Sequence, residues 1–264
     1  MQKIWVCGAR GQIGQAVNDV VDKLEFEMLD TDVDDLDVTD TDEVLRFGEM
    51  NRPDIIINCS GMTDISSCEE NPSQAFKVNA LGARNLAIVA AKMQAKMVQL
   101  STDDVFDGKS TEPYTEFDIT NPGTVYGKSK LAGENYVKEF TTKHFIVRST
   151  WVYGKGQNFI NGFLKKVDAG EQLSIASDQF GSPTSANELA RFLLHLVHTS
   201  EYGTYHATNK GVCSRYAFAQ EILKMTGKTA SMQPVPTVMS DFSKVRPAYA
   251  VLDNFIMSMV PIYD

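Results

Sequence analysis

Tyr126 and Lys130 lie four residues apart, a spacing that puts both side chains on one face of a helix. A free tyrosine titrates near pH ~10 and is a poor acid or base at neutrality. An ammonium beside it favours the phenolate and lowers that pKa. The pair can then exchange a proton with a substrate oxygen. Thr102, in Ser101-Thr102-Asp103, can hydrogen-bond a carbonyl oxygen that is about to gain negative charge. The competing reading of Thr102 is a turn or cap, which threonine also favours. Ser101 is read as structural.

A second constellation is Gly8-Ala9-Arg10-Gly11-Gln12-Ile13-Gly14. In such a motif one glycine permits a tight turn, one lets backbone approach a pyrophosphate, and one lets helix and strand pack closely. The N–H groups that open the next helix can receive phosphates. The motif alone is weak, but here it sits early in the chain, after a strand pattern and before a helix pattern. Asp30, about 20 residues on, can accept from an adenosine ribose 2′-OH, which favours NAD. Arg10 can instead meet a 2′-phosphate, which favours NADP. NADH and NADPH both stay open. In such a site Lys130 can also hold the nicotinamide ribose.

These residues need elements to position them. Ile4–Val6 reads as a strand, and Gln12–Lys23 as a helix with Ile13, Val17, Val20 and Leu24 on one face. Phe26–Leu29 reads as the second strand and Thr41–Met50 as a helix with Thr41 as its N-cap. Asp54–Asn58 is a continuous apolar strand, the pattern of a parallel sheet covered on both faces. Pro72–Met93 reads as one long helix with proline in its first turn. Met97–Leu100 is a strand, followed by a long polar loop, a helix over Tyr126–Phe140 and a strand at Phe145–Arg148. The alternation predicts an α/β fold, a Rossmann-type doubly wound parallel sheet over residues 1–150. Thr102 then falls at the carboxyl edge of the sheet, where ligands bind in such folds. Residues 151–264 read as a smaller, substrate-binding lobe on the same body. Its helices are expected at Asn158–Ala169, Ala186–Thr199 and Ser214–Thr226, and an irregular stretch from Gln233 to Pro247.

The chain has 264 residues, a hydrophobic fraction of 43% and a formal net charge of −9. That is enough apolar content for a core and excludes a disordered chain. The acidic balance argues against non-specific nucleic-acid binding. The acids from Asp30 to Glu43 read mostly as a solvated loop and helix start. No apolar run reaches the ~20 residues that span a bilayer, and Met1-Gln2-Lys3 enters a strand without an export signal. No membrane partner and a cytoplasmic location are therefore expected. The cysteines form no C-x-x-C pair, and Cys7 and Cys59 read as small buried hydrophobes. The histidines lack metal-ligand spacing.

The ordered motifs resemble the extended short-chain dehydrogenase/reductase superfamily, and within it the dTDP-4-dehydrorhamnose reductase family. Similar pieces run over nearly the whole chain: Gly8–Gly14, Asp37-Val38-Thr39-Asp40, Arg52-Pro53-Asp54 leading to Asn58, Val78-Asn79-Ala80, Ser101-Thr102-Asp103 and Val105-Phe106-Asp107-Gly108. The longest block is Val125–Glu134. After it come Arg148–Gly154, Asn158-Phe159, Asp178–Thr184 and Arg246-Pro247-Ala248-Tyr249. The resemblance implies reduction of the C4 ketone of dTDP-4-dehydro-L-rhamnose. Tyr126 would protonate the forming alkoxide, supported by Lys130 and Thr102. It also implies that Gly11, Gln12, Ile13, Asp30, Asp37 and Val38 line the dinucleotide, together with Gly61, Met62 and Thr63. Trp151 would contact the sugar or base; the competing reading is a core aromatic. Mg²⁺ is an optional component by resemblance only. Helices of this superfamily often pair subunits, so a homodimer is among the arrangements it implies.

The chain departs from the family pattern at three places, the first two of them near the sugar pocket. The family usually has tyrosine after Ser-Thr-Asp, touching the sugar, where this chain has Asp104. Its usual Asp-Lys pair after the third strand is Ser66-Ser67 here. The chain ends at Asp264, short of the family's tryptophan-bearing helix, so a truncated or reduced form with Phe255, Ile256 and Met257 exposed is expected. Two alternatives follow. One is a nucleotide-sugar dehydratase or epimerase, since Thr102-Asp103-Asp104 is similar to the dehydratase Thr-Asp-Glu. The other is a non-catalytic, dinucleotide-binding regulatory subunit.

Overall fold

Ile55, Ile56 and Ile57 are each at most 1% exposed, so the strand they form is covered on both faces. In the computed structural model, which describes residues 1–239 and 247–259, this is β3 (Ile55–Asn58) of a six-stranded parallel sheet. The chain before it forms β1 (Gln2–Cys7), α1 (Gln12–Val20), β2 (Phe26–Thr31) and α2 (Thr41–Asn51). After it come α3 (Ile65–Glu70), α4 (Pro72–Phe76), a π-helical turn (Lys77–Gly82), α5 (Ala83–Met93), β4 (Lys96–Thr102), α6 (Val125–Phe140) and β5 (His144–Ser149). The remainder is β6 (Val152–Tyr153), α7 (Phe159–Asp168), β7 (Leu173–Ala176), β8 (Phe180–Gly181), β9 (Thr184–Ser185), α8 (Ala186–His198), β10 (Gly203–His206), β11 (Cys213–Ser214), α9 (Arg215–Thr226), β12 (Met232–Val235), β13 (Tyr249–Ala250) and α10 (Phe255–Met259).

The large sheet runs β10-β5-β4-β3-β1-β2, and every pair in it is parallel. β2 lies on one side of β1 and β3 on the other, so the winding reverses between β1 and β3. A crevice opens outside the carboxyl ends of the strands at such a point. One face is covered by α1 and α8, whose Val17, Ala190 and Leu193 pack on Ile57 and Val147. The other is covered by α2, α5 and α6, around Trp5, Ile56, Leu86 and Val137. Past Trp151 the chain thus returns to the large sheet through α8 and β10. A separate apolar cluster holds α7, β7 and α9 together around Phe163, Leu173 and Ile222.

Several local expectations are corrected. The helix expected over Pro72–Met93 is interrupted by the π-helical turn Lys77–Gly82. There the Asn79 amide bonds to a neighbouring loop and to α6, and Gly82 is pressed so close to Val38 that a Cβ would stand 2.8 Å from its Cγ2. Asp40, not Thr41, caps α2 by accepting from Glu43 N at 2.9 Å, while the Thr41 hydroxyl turns to Asn85. Helix α1 stops at Val20, which leaves Leu24 at 90% exposure rather than on the buried face. The stretch from Gln233 contains the end of β12, where Pro234 pairs in register with Ile175 of β7. A two-stranded ribbon tolerates proline because one edge of each strand is unpaired. Phe255, Ile256 and Met257 are half-buried, not exposed, and Ile256 and Met257 pack on the α1–α8 core. Residues 240–246 of the irregular stretch, Arg246 of the Arg-Pro-Ala-Tyr motif included, lie outside the described residues.

Candidate active site

Gly8 ends β1 with φ +75°, a conformation glycine adopts without Cβ strain. A Cβ there would stand 2.8 Å from the Ser60 amide nitrogen, so the loop after β1 and the loop after β3 touch across the crevice. A Cβ at Gly14 would overlap the Gly8 carbonyl oxygen, which seats α1 directly on the loop. Gly11 is the N-cap of α1 and offers no side-chain cap; the first turn carries no acid. The first N–H groups of α1 therefore face the crevice with a partial positive charge and no side-chain oxygen bound to them. Ile13 is half-buried on α1. The Gln12 amide donates to the Val152 carbonyl at 3.0 Å and accepts from Asn158 at 3.0 Å. It thereby ties the glycine loop to the second half of the chain.

Asp30 is exposed near the end of β2. Asp37 accepts from Thr39 N at 2.8 Å, and the Val38 carbonyl accepts from Asn85 at 3.0 Å, fixing the turn that leads to α2. Arg10 lies among acids: its guanidinium is 3.1 Å from Asp34 and 3.4 Å from Asp35.

Thr124 caps α6, its hydroxyl accepting from Gly127 N at 2.9 Å, which sets the first turn that carries Tyr126. A Cβ at Gly127 would overlap the Asp104 carbonyl oxygen. The Tyr126 turn and the Thr102-Asp103-Asp104 turn are thus in backbone contact. Thr102 is buried at the end of β4; its hydroxyl lies 3.1 Å from Asp103 Oδ1 and accepts from Asp104 N at 3.2 Å. Thr102 is thus a cap as well as a candidate for the carbonyl oxygen. Asp103 and Asp104 are buried beside it. One turn along α6, Lys130 is 4% exposed. Burial pushes its pKa down to about 8, against the pull of Glu134. The Lys130 ammonium would stand 3.8 Å from a Cβ at Gly61, so it faces the loop after β3. Tyr126, Lys130, Thr102 and the Gly61–Thr63 loop are brought to one end of the crevice.

What holds that end together is Asn79, to which no role was given from sequence. Its Oδ1 accepts from Met62 N at 2.8 Å, and its Nδ2 donates to Met62 O and Ser129 Oγ, both at 2.9 Å. The Ser129 hydroxyl donates to the Tyr126 carbonyl at 2.8 Å. Asparagine in the middle of an apolar helical pattern was the available signal, since a buried amide must find partners. π-helical turns often mark functional sites. Ser66 is half-buried and Ser67 serves Asp64, which caps α3 by accepting from Ser67 N at 2.8 Å.

Ser101 is structural, as read: its hydroxyl donates to Glu134 at 2.6 Å. Fully buried Glu134 also takes two bonds from Arg148, at 2.9 and 2.7 Å. Burial raises the Glu134 pKa, but Arg148 and Ser101 outweigh it and hold the carboxyl below its ordinary value.

Trp151 has φ +46° and is half-buried. The Arg215 guanidinium carbon lies 3.4 Å from its ring centroid and 4.6 Å from that of Phe159. Gly181 packs against the same indole, which a Cβ would meet at 2.5 Å. Trp151 therefore belongs to an aromatic group with Phe218 and Phe159, at the junction with the second half. Among the described residues no group of three or more His, Cys, Asp or Glu is placed to hold a metal ion, and no helix is long and apolar enough to cross a membrane.

Comparison with known proteins agrees with this geometry. The model of the RmlD substrate binding domain matches residues 1–260. The chain belongs to the RmlD substrate binding domain family. A dTDP-4-dehydrorhamnose reductase of Clostridium acetobutylicum is 42% identical, with TM-score 0.95 over 98% of this chain and 92% of that one. A Bacillus anthracis dTDP-4-dehydrorhamnose reductase, solved in complex with NADP, is 36% identical, with TM-score 0.95 over 98% and 93%. A spore coat polysaccharide biosynthesis protein of Bacillus subtilis is 35% identical over 255 residues, 96% of this chain and 90% of its own length. The RmlD family match spans both the glycine loop and the second half, so the elements of the crevice are family elements.

Proposed function

We propose that the protein is an NAD(P)H-dependent oxidoreductase that reduces the C4 ketone of dTDP-4-dehydro-L-rhamnose to dTDP-L-rhamnose. The observation that carries this reading is the buried Lys130 ammonium, one helical turn from Tyr126, facing the loop that closes the dinucleotide crevice. The glycine loop fits a dinucleotide: backbone approaches closely at Gly8 and Gly14, and α1 starts without a side-chain cap. Gly11, Ile13 and the Gly61–Thr63 loop line that crevice, with Asp30 at its adenosine end. NAD(P)H, when bound, supplies the hydride.

The chain's own residues do the rest. Tyr126 gives its phenolic proton to the C4 oxygen as that oxygen becomes an alkoxide. Lys130 lowers the tyrosine pKa through its charge and holds the nicotinamide ribose. Thr102 donates a hydrogen bond to the same oxygen, releasing Asp103 to do so. Trp151, backed by Arg215, forms the wall against the sugar nucleotide. Asp103 and Asp104 edge the sugar pocket. The free cysteines are in keeping with a reducing, cytoplasmic setting.

The test is oxidation of NADH and NADPH, followed by nicotinamide absorbance, with dTDP-4-dehydro-L-rhamnose generated in situ. Sugar-dependent oxidation supports the reading. Bound dinucleotide with no oxidation, in the presence of the sugar, refutes it.

A further inference from the structure

The adenosine end of the crevice is ringed by acid. Arg10 is the cation of the Gly8–Gly14 loop. Its Nη2 lies 3.1 Å from Asp34 Oδ2 and 3.4 Å from Asp35 Oδ2, and its Nε lies 3.9 Å from Asp32 Oδ2. Asp32 also accepts the Arg10 backbone N–H at 2.8 Å, which ties the acidic loop onto the glycine loop. Asp35 accepts from Asp32 N at 3.0 Å and so holds the turn in shape. Asp30, in register with Val6 two residues before Gly8, is exposed near the end of the strand that leads into this acidic turn.

We propose that this collar makes the protein selective for NADH over NADPH. The inference rests on the dinucleotide reading of the glycine loop. Asp30 can accept from a 2′-hydroxyl, which is neutral. A 2′-phosphate adds negative charge where one guanidinium already faces three carboxylates within 4 Å. Each exposed ion pair alone is weak, so no single bond locks Arg10. The sum of charge decides. If Arg10 turns to a 2′-phosphate, it leaves Asp32, Asp34 and Asp35 without their cation beside that anion, a repulsion that low salt leaves largely unscreened. The same residue that should welcome the phosphate is thus delivered with a surplus of negative charge.

The experiment is a fluorescence titration of the purified protein with NADH and with NADPH, at low and at high salt. It is repeated for Asp34→Asn/Asp35→Asn, which keeps an acceptor for the turn and removes two charges. The expected result is NADH binding about tenfold tighter at low salt, equivalent to ~1.4 kcal/mol. The gap should narrow at high salt, and the double variant should close it by tightening NADPH binding while leaving NADH binding as in the parent. NADPH binding as tight as NADH in the parent at low salt overturns the proposal. So does a gap that neither salt nor the double variant changes. Failure of both dinucleotides to bind overturns the dinucleotide reading itself, and the selectivity with it.

Discussion

A Cβ added at Gly127 would overlap the carbonyl oxygen of Asp104. The helix that carries Tyr126 and the turn that carries Thr102 therefore meet backbone to backbone, and only glycine permits that approach. Gly127→Ala must push α6 or the turn aside. Overpacking of this kind costs about 1–3 kcal/mol, and a displacement near ~1 Å at a reacting pair costs on the order of 10²-fold in rate. Thermal melting and steady-state turnover, measured on the same preparation, check both parts. An unchanged turnover would mean that the two turns need not stay in contact.

Tyr126 sits in the first turn of α6, half-buried, with Lys130 below it. Tyr126→Phe removes the proton and keeps the ring. Dinucleotide affinity should stay as in the parent, while turnover falls by about 10²–10⁴, the usual worth of a general acid. Parent-like turnover in this variant would sink the assignment.

Burial lowers the Lys130 pKa from 10.5 to about 8. Below about 8 the ammonium is present and can support Tyr126; above it the charge is lost, so kcat/KM should fall. Stability responds in the opposite direction. Between about 8 and 10.5 the unfolded chain holds a proton that the folded chain has released, so unfolding becomes less favourable as pH rises there. Lys130→Met removes both effects. The difference in melting temperature between parent and variant, plotted against pH, should shift in the parent's favour across that window. A flat difference would mean that the folded lysine keeps an ordinary pKa.

Glu134 and Arg148 form a fully buried pair, the arginine only 3% exposed. Removing one partner strands the other charge, which typically costs about 3–5 kcal/mol. Glu134→Gln should destabilise the fold by about that amount in a urea titration. A loss near zero would mean that water reaches Arg148 once the acid is gone.

His206, paired with Arg148 across β10 and β5, is buried. Burial first, and the Arg148 charge second, push its pKa from 6.5 down to about 4. Between those values the unfolded chain binds a proton that the folded chain refuses, so stability falls as pH drops through 6.5 toward 4. His206→Gln should lessen that acid loss, as read by melting temperature across the same range.

The alternation of strands and helices was legible in the residues because it depends on local periods. Ile55-Ile56-Ile57 marks a strand covered on both faces, and Val17 marks the buried stripe of α1. The glycine loop was legible for the same reason, since Gly8, Gly11 and Gly14 sit in one short segment between a strand and a helix. So was the Tyr126–Lys130 pair, because four residues of helix put two side chains on one face whatever the rest of the chain does.

Tertiary structure alone decided what those segments meet. Asn79 reaches Met62, 17 residues back, and Ser129, 50 residues on; the π-helical turn that aims it breaks a pattern that reads locally as one helix. Gln12 carries a glycine-loop position, yet it bonds to Val152 and Asn158 in the second half. Arg10 can be read from sequence as a partner for a 2′-phosphate, and only the folded chain shows Asp32, Asp34 and Asp35 around it. Composition and periodicity act over a few residues, whereas these contacts depend on the winding of the whole sheet, which no local window contains.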